Sequence, residues 1–118
     1  DFKVSANEVA LGLTMPRVAA AMLEHRLTPA AYQRAVTLSE FFDVDSALQC
    51  GFFDELVEPA DLLERAGRVA EDLKQLHSRA HKDSKRRIRA KLVRRIRRSI
   101  PLDLVDAMML ALRGGKPR

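Results

Sequence analysis

The sequence contains no tryptophan, one cysteine, five phenylalanines and one tyrosine among its 118 residues. The single cysteine, Cys50, excludes an internal disulfide and a cysteine-based zinc site. Because aromatic residues are scarce, the core must be built mainly from Leu, Val, Ala, Ile and Met. No apolar run approaches the roughly 20 residues of a membrane-spanning helix, and no signal peptide is visible. We therefore expect a cytoplasmic globular domain with no membrane span.

Positive charge is concentrated in the C-terminal third of the chain. Residues 1–84 carry 9 Lys/Arg and 14 Asp/Glu, whereas residues 85–118 carry 12 Lys/Arg and 2 Asp. The first part therefore has a net charge of −5 and the second a net charge of +10. Such a basic region attracts phosphates, which can belong to a nucleotide-like cofactor, a nucleic acid or an anionic membrane surface.

Most of the chain has the apolar spacing and the end signals of helices. Thr28 followed by Pro29 is typical of a helix start, Gly51 is typical of a helix end, and Pro101 is expected to interrupt a helix. Strand-like alternation occurs only near residues 2–10 and 52–57. The predicted helices cover about 16–26, 28–39, a short segment from Asp43 or Asp45 to Gly51, 60–76, 79–98 and a last short segment after Pro101.

Two segments together resemble a known family. The first is FKVSANEVALGLTMP at residues 2–16, and the second is FFDVDSALQCGFFDELVEPADLLERAGRVAEDL at residues 41–73. In their order and separation they resemble the C-terminal half of the enoyl-CoA hydratase/isomerase (crotonase) family. In that family a strand leads into a Pro-Glu or Asn-Glu dipeptide, and a later signature is matched here by Ala47, Gly51, Phe52, Asp54 and Val57.

The resemblance implies an α/β fold of the crotonase/ClpP-like type. This chain would be its mostly helical C-terminal part, with one or two short strands, and would begin inside a larger domain. Residues 1–58 would form the C-terminal part of the crotonase core, with a strand, a turn and helices. Residues 59–113 would form a C-terminal helical region for trimerisation and contact with CoA, and residues 114–118 would be a disordered tail. The implied assembly is a homo-oligomer, either a trimer or a dimer of trimers.

The resemblance also assigns a role to Glu8. A glutamate at this position is one of two catalytic carboxylates that face the α and β carbons of an acyl-CoA thioester. Hydration of a conjugated thioester needs a base for the water and an acid for the α-carbon, and a carboxyl group can serve as either. The neighbouring Val9, Leu11 and Leu13 would line the acyl pocket, or else belong to the core. Without the surrounding signature, a lone glutamate near a strand end is usually a solvated surface residue.

Several working parts of the family are expected upstream of this chain. These are the backbone oxyanion hole beside a Gly-rich turn and the second catalytic glutamate of the hydratases. Arg17-Val18-Ala19 also replaces a Gly-rich turn that some relatives carry. The reaction therefore stays open between hydration by a lyase, double-bond isomerisation and other acyl-CoA chemistry of fatty-acid metabolism, and the isolated fragment is expected to be inactive. No cofactor is implied beyond the coenzyme A of the substrate.

The segment KRRIRAKLVRRIRR at residues 85–98 combines nine basic residues with helical apolar spacing. In the family reading, Lys85 and Arg86 with their neighbours would lie near the phosphates of CoA. The alternatives are a solvated charged face, an anionic lipid surface, or a non-enzymatic helical module that binds nucleic acid or an acidic partner. Nucleic acid is disfavoured because the patch has no aromatics and no recognised motif. His77 and His81 lack a third convergent metal ligand, so no metal site is predicted.

Overall fold

The computed structural model describes residues 2–114, and these residues fold mainly into five α-helices. Short 3-10 turns at Val9–Leu11 and Pro59–Asp61 precede α1 and α4. The predicted tail lies outside the described residues except for Gly114. The helices are α1 Arg17–Arg26, α2 Pro29–Leu38, α3 Val44–Cys50, α4 Leu62–Lys74 and α5 Ser78–Leu112.

The predicted ends of α2 and α3 are confirmed. Thr28 Oγ1 accepts a hydrogen bond from the N–H of Ala31 at 3.4 Å, and Asp43 Oδ1 accepts one from Ser46 at 2.8 Å. Each bond satisfies one of the N–H groups that lack a partner in the first turn of a helix. Gly51 ends α3 with a φ of 97°, a conformation that glycine adopts without steric penalty.

Small side chains form most of the core around α2 and α3. Among residues 2–114, Phe42 is the large side chain that is fully buried, and its ring packs against that of Phe52 with the centroids 5.2 Å apart. The guanidinium of Arg34 lies over the Phe42 ring, 5.3 Å from its centroid. Alanines allow the helices to approach this ring closely, which explains how a chain poor in aromatics fills its core. The buried cluster consists of Leu27, Ala31, Ala35, Phe42 and Ala47.

The two predicted strands were wrong. Among residues 2–114 the only β-pairing is a single antiparallel bridge, in which Val4 and Phe42 exchange hydrogen bonds of 2.9 and 2.8 Å. The rest of segment 2–10 bends into the turn at Val9–Leu11, and residues 52–57 form no regular element. Alternating residues make a strand only when a neighbouring strand takes up their backbone hydrogen bonds. The α/β expectation is therefore met only in its helical part.

The predicted break at Pro101 was also wrong, because α5 continues through this proline. Contacts with α1 hold the helix on both sides of it. Before Pro101, Arg95 pairs with Glu24. After it, the Asp103 carboxylate accepts hydrogen bonds from the N–H groups of Arg17 at 3.0 Å and Val18 at 2.9 Å. We infer that these contacts offset the unfavourable effect of an internal proline, which is about 3 kcal/mol.

The chain divides into two compact units, one formed by Asp1–Asp54 with Leu92–Arg118 and the other by Glu55–Lys91. In the second unit, Arg65 Nε donates to Glu55 Oε1 at 2.7 Å, which ties α4 to the segment that precedes it. None of the residues of α4 is buried, although the sequence predicts an apolar stripe along this helix. The exposed residues of that stripe include Leu62, Leu63, Val69, Leu73 and Leu76.

The end of α3 leaves no room for a side chain. A Cβ atom at Gly51 would lie 2.7 Å from the carbonyl oxygen of Arg26, in addition to the strain of a positive φ. We expect Gly51→Ala to lower the free energy of unfolding by about 1–3 kcal/mol. Gly67→Ala is the matched control, because a Cβ there meets no atom within 4 Å and alanine favours a helix by about 0.5–1 kcal/mol. Unfolding monitored by circular dichroism that shows equal stability for both variants would contradict this account.

Asp103 makes the stability of the first unit depend on pH. The N–H groups of Val18 and Arg17, together with the Arg17 guanidinium, hold the pKa of Asp103 below its usual value of 3.8. The ionised form therefore stabilises the fold at neutral pH. This contribution is lost as the pH falls below about 4 and through the lower pKa of the folded state. We expect Asp103→Asn to lower the melting temperature at pH 7, by an amount that shrinks as the medium is acidified.

A suitable control for this measurement is Asp106→Asn. Asp106 is exposed and, within the described part of the chain, bonds only to the Arg17 side chain, whereas Asp103 also accepts from two backbone N–H groups. We therefore expect a smaller change for Asp106→Asn at every pH, since exposed ion pairs contribute little. An Asp103→Asn deficit that is the same at pH 3 and pH 7 would argue against an electrostatic origin.

Candidate active site

Glu8 lies at the start of a tight turn that precedes α1. Its carbonyl oxygen accepts hydrogen bonds from the N–H groups of Leu11 at 3.0 Å and Leu13 at 2.8 Å. The N–H of Gly12 donates to the Val9 carbonyl at 3.0 Å, and a φ of 75° at Gly12 reverses the chain there. The backbone of Glu8 is thus fixed by the turn, which directs the chain toward Pro16 and the first residue of α1.

The carboxylate of Glu8 is unusual because one of its oxygens is buried without a partner. Oε2 is inaccessible to water and makes no hydrogen bond within residues 2–114. A buried acceptor that is left unpaired is typically unfavourable by about 1–3 kcal/mol, so native proteins rarely keep one without a functional reason. No described residue therefore offers a hydrogen bond that would compete for this oxygen of the carboxylate.

Ser39 holds the turn in place. Its Oγ accepts a hydrogen bond from the N–H of Ala10 at 3.0 Å, and its carbonyl oxygen accepts one from the Ser5 hydroxyl at 3.3 Å. Ser39 is itself only 6% exposed and has a φ of 52°, the one positive φ among the described non-glycine residues. The sequence pattern gives no signal for this role of Ser39, because glycine or asparagine is the usual residue for such a conformation at a helix end.

The apolar residues predicted to line an acyl pocket lie on the same turn as Glu8. Val9 is 45% exposed and Leu11 is 57% exposed, while Leu13 is half-buried. Val9 and Leu11 therefore do not belong to the core of the described residues, which was the alternative considered for them. An acidic group flanked by accessible apolar side chains can receive a molecule that carries both an apolar chain and a proton-bearing carbon.

The predicted phosphate-binding residues, Lys85 and Arg86, are exposed on α5 and belong to the other compact unit. They are part of a series of basic side chains along residues 85–98. Within the described part of the chain, the only ion pair formed by this series is that of Arg95 with Glu24. The remaining basic residues therefore present positive charge that no acidic side chain among residues 2–114 neutralises.

The two histidines considered as metal ligands, His77 and His81, lie near the start of α5. His77 lies just before α5, where its Nδ1 accepts a hydrogen bond from the N–H of Ala80 at 3.3 Å. His81 lies in α5, where its N–H donates to the His77 carbonyl oxygen at 2.9 Å. No group of three or more potential metal ligands occurs among residues 2–114, and no helix described there is long and apolar enough to cross a membrane.

The fold of this chain is similar to part of several solved structures. An enoyl-CoA hydratase from Mycobacterium marinum is 40% identical, with a TM-score of 0.82 over 88% of this chain and 46% of that chain. A Mycobacterium tuberculosis protein is 36% identical, and its two structures are described as a probable enoyl-CoA hydratase and as an enoyl-CoA isomerase. Their TM-scores are 0.84 over 95% of this chain and 47% of that chain, and 0.82 over 88% and 46%. An enoyl-CoA hydratase/isomerase family protein from Pseudomonas syringae is 33% identical, with a TM-score of 0.82 over 87% of this chain and 45% of that chain.

The chain spans a little under half the length of these structures. No family model matches the sequence, and no curated protein matches it. The likeness to the solved structures combines high TM-scores with identities above 30%, and it therefore extends beyond the fold to the sequence itself.

Proposed function

Because this chain belongs to the enoyl-CoA hydratase/isomerase family, we propose that it supplies an acid/base carboxylate, Glu8, to a protein that acts on acyl-CoA thioesters. The observation that carries the proposal is the buried and unpartnered Oε2 of Glu8, in a turn that also exposes Val9 and Leu11. An acyl chain would contact these apolar residues and Leu13, while the carboxylate reaches the α and β carbons.

The chemistry of a 2-enoyl thioester explains why a single carboxylate is useful there. In hydration, a base removes a proton from the attacking water and an acid delivers one to the α-carbon. In isomerisation, the same group can remove a proton from one carbon of the acyl chain and return it to another. A carboxylate with one oxygen that makes no competing hydrogen bond within residues 2–114 suits either transfer.

The remaining catalytic parts are proposed to lie outside this chain. Stabilisation of the thioester enolate needs two hydrogen-bond donors aimed at its oxygen, and this term is usually the largest in such reactions. A second glutamate would also be needed for the hydratase reaction. We therefore expect this chain alone to be inactive, with the activity carried by the full-length protein, as either a lyase or an isomerase of fatty-acid metabolism.

The basic face of α5 is proposed to meet the phosphates of coenzyme A. Lys85 and Arg86 are exposed and form no ion pair among the described residues, so both can make charge-assisted hydrogen bonds to a phosphate. The end of α5 exposes Leu102, Val105 and Met108, which suits contact with another subunit. We propose a cytoplasmic homo-oligomer, a trimer or a dimer of trimers, that needs no cofactor besides the CoA of its substrate.

The proposal is tested by steady-state kinetics of the full-length protein on a medium-chain enoyl-CoA, with both hydration and isomerisation followed. We expect Glu8→Gln to lower kcat by about 10²–10⁴, because the amide can neither accept nor deliver the proton, while KM stays near that of the wild type. Glu58→Gln is the matched control, since Glu58 is an exposed glutamate of the same chain. Full turnover by Glu8→Gln would remove this residue from the mechanism.

The same assay separates the catalytic role from the phosphate-binding role. A Lys85→Ala/Arg86→Ala variant is expected to raise KM several-fold and to leave kcat nearly unchanged. The effect should disappear when the substrate is an enoyl-pantetheine, which lacks the nucleotide phosphates. Equal losses on both substrates would show that these two residues do not contact the phosphates of CoA.

A second candidate function is a non-enzymatic helical module that binds nucleic acid or an acidic partner. It is favoured by one observation: apart from Arg95, the basic residues along 85–98 form no ion pair with an acidic side chain among residues 2–114. This function predicts binding whose affinity falls steeply with salt, together with wild-type protein that neither turns over nor binds an enoyl-CoA. That combination of results would replace the enzymatic proposal.

A further inference from the structure

We propose that Ser39 is a positioning residue for Glu8, acting through the hydrogen bond that its hydroxyl accepts from Ala10. The inference rests on the proposed function of Glu8. Ser39 lies 31 positions further along the sequence, at the C-terminal end of α2, and touches neither the carboxylate nor any reacting atom in this assignment. It acts only by fixing the backbone that carries Glu8.

The bond to Ala10 satisfies a donor that the turn cannot satisfy itself. The first N–H groups of a helical turn have no partner within the turn. The Ser39 hydroxyl accepts from one of them, two residues after Glu8, at 3.0 Å. Because Ser39 is 6% exposed, little water can compete for this bond.

A second bond to the same residue lies on the other side of Glu8. The Ser5 hydroxyl donates to the Ser39 carbonyl oxygen at 3.3 Å. Residues 5 and 10, which bracket Glu8, are therefore both attached to Ser39. Rotation or displacement of the intervening backbone would break at least one of these bonds, so the direction of the Glu8 side chain is coupled to the end of α2.

The conformation of Ser39 indicates that its hydroxyl is needed. A φ of 52° is unfavourable for residues with a Cβ atom, and glycine would adopt it without penalty. Closing α2 requires only the backbone, since the Ser39 N–H bonds to the Arg34 carbonyl oxygen. A strained residue whose side chain bonds to the turn bearing a candidate catalytic group points to positioning rather than to helix capping alone.

The substitution Ser39→Gly separates the two roles. It keeps the backbone bonds to Arg34 and Ser5, relieves the strain and removes the hydroxyl. In the full-length protein we expect a melting temperature equal to or above that of the wild type. We also expect kcat for the enoyl-CoA to be about tenfold or more lower with KM little changed, because small displacements of a catalytic group are costly. Ser39→Ala should show the same loss in kcat with a lower melting temperature, since it removes the hydroxyl and keeps the strain.

Amide hydrogen exchange at Ala10 tests the anchor without relying on turnover. We expect the Ala10 N–H to exchange at least tenfold faster in Ser39→Gly than in the wild type, while amides in the interior of α2 keep their rates. Wild-type kcat in Ser39→Gly, or unchanged exchange at Ala10, would overturn the proposal.

The failure of this inference is distinguishable from the failure of the proposed function. If Glu8→Gln is inactive while Ser39→Gly is fully active, the role of Glu8 stands and the role of Ser39 falls. If Glu8→Gln is fully active, the proposed function falls. A faster Ala10 exchange in Ser39→Gly would then report a structural anchor only, which also overturns the positioning role.

Discussion

The pair of hydrogen bonds between Val4 and Phe42 is the constraint on which the candidate site depends. These bonds attach the N-terminal segment to the backbone of Phe42, whose side chain is buried in the core. The Ser39 contacts, three residues before Phe42, hold the next part of the same segment. Glu8 is therefore positioned by the end of α2 and the loop that follows it, and the helical core serves as its support.

The local signals of the sequence predicted the helices well and the extended segments poorly. Thr28, Asp43 and Gly51 act within a few residues of themselves, so their roles as helix ends could be recognised directly. The segment at 2–10 was interpreted as a strand, but strand formation depends on neighbours that periodicity does not reveal. The family resemblance was confirmed by the solved structures, whereas the resemblance alone could not show how Glu8 is held.

Two features depended on contacts between distant residues and could not be predicted. Pro101 is a strong local signal for a break, yet ties to α1 through Arg95 and Asp103 lie on both sides of it. Ser39 carries no sequence signal for a positive φ, and it bonds to residues about thirty positions away that local patterns do not reveal. In both places tertiary contacts override the local preference of the chain.

If the proposed function holds, the Glu8 carboxylate faces the reacting carbons of a bound acyl-CoA. The most direct test is a crystal structure of the full-length protein with a bound, unreactive acyl-CoA analogue. The claim predicts a Glu8 carboxylate oxygen about 3–3.5 Å from the α-carbon, or from a water placed at the β-carbon, with the turn still attached to Ser39. An analogue bound elsewhere, with the Glu8 carboxylate directed away from it, would contradict the claim.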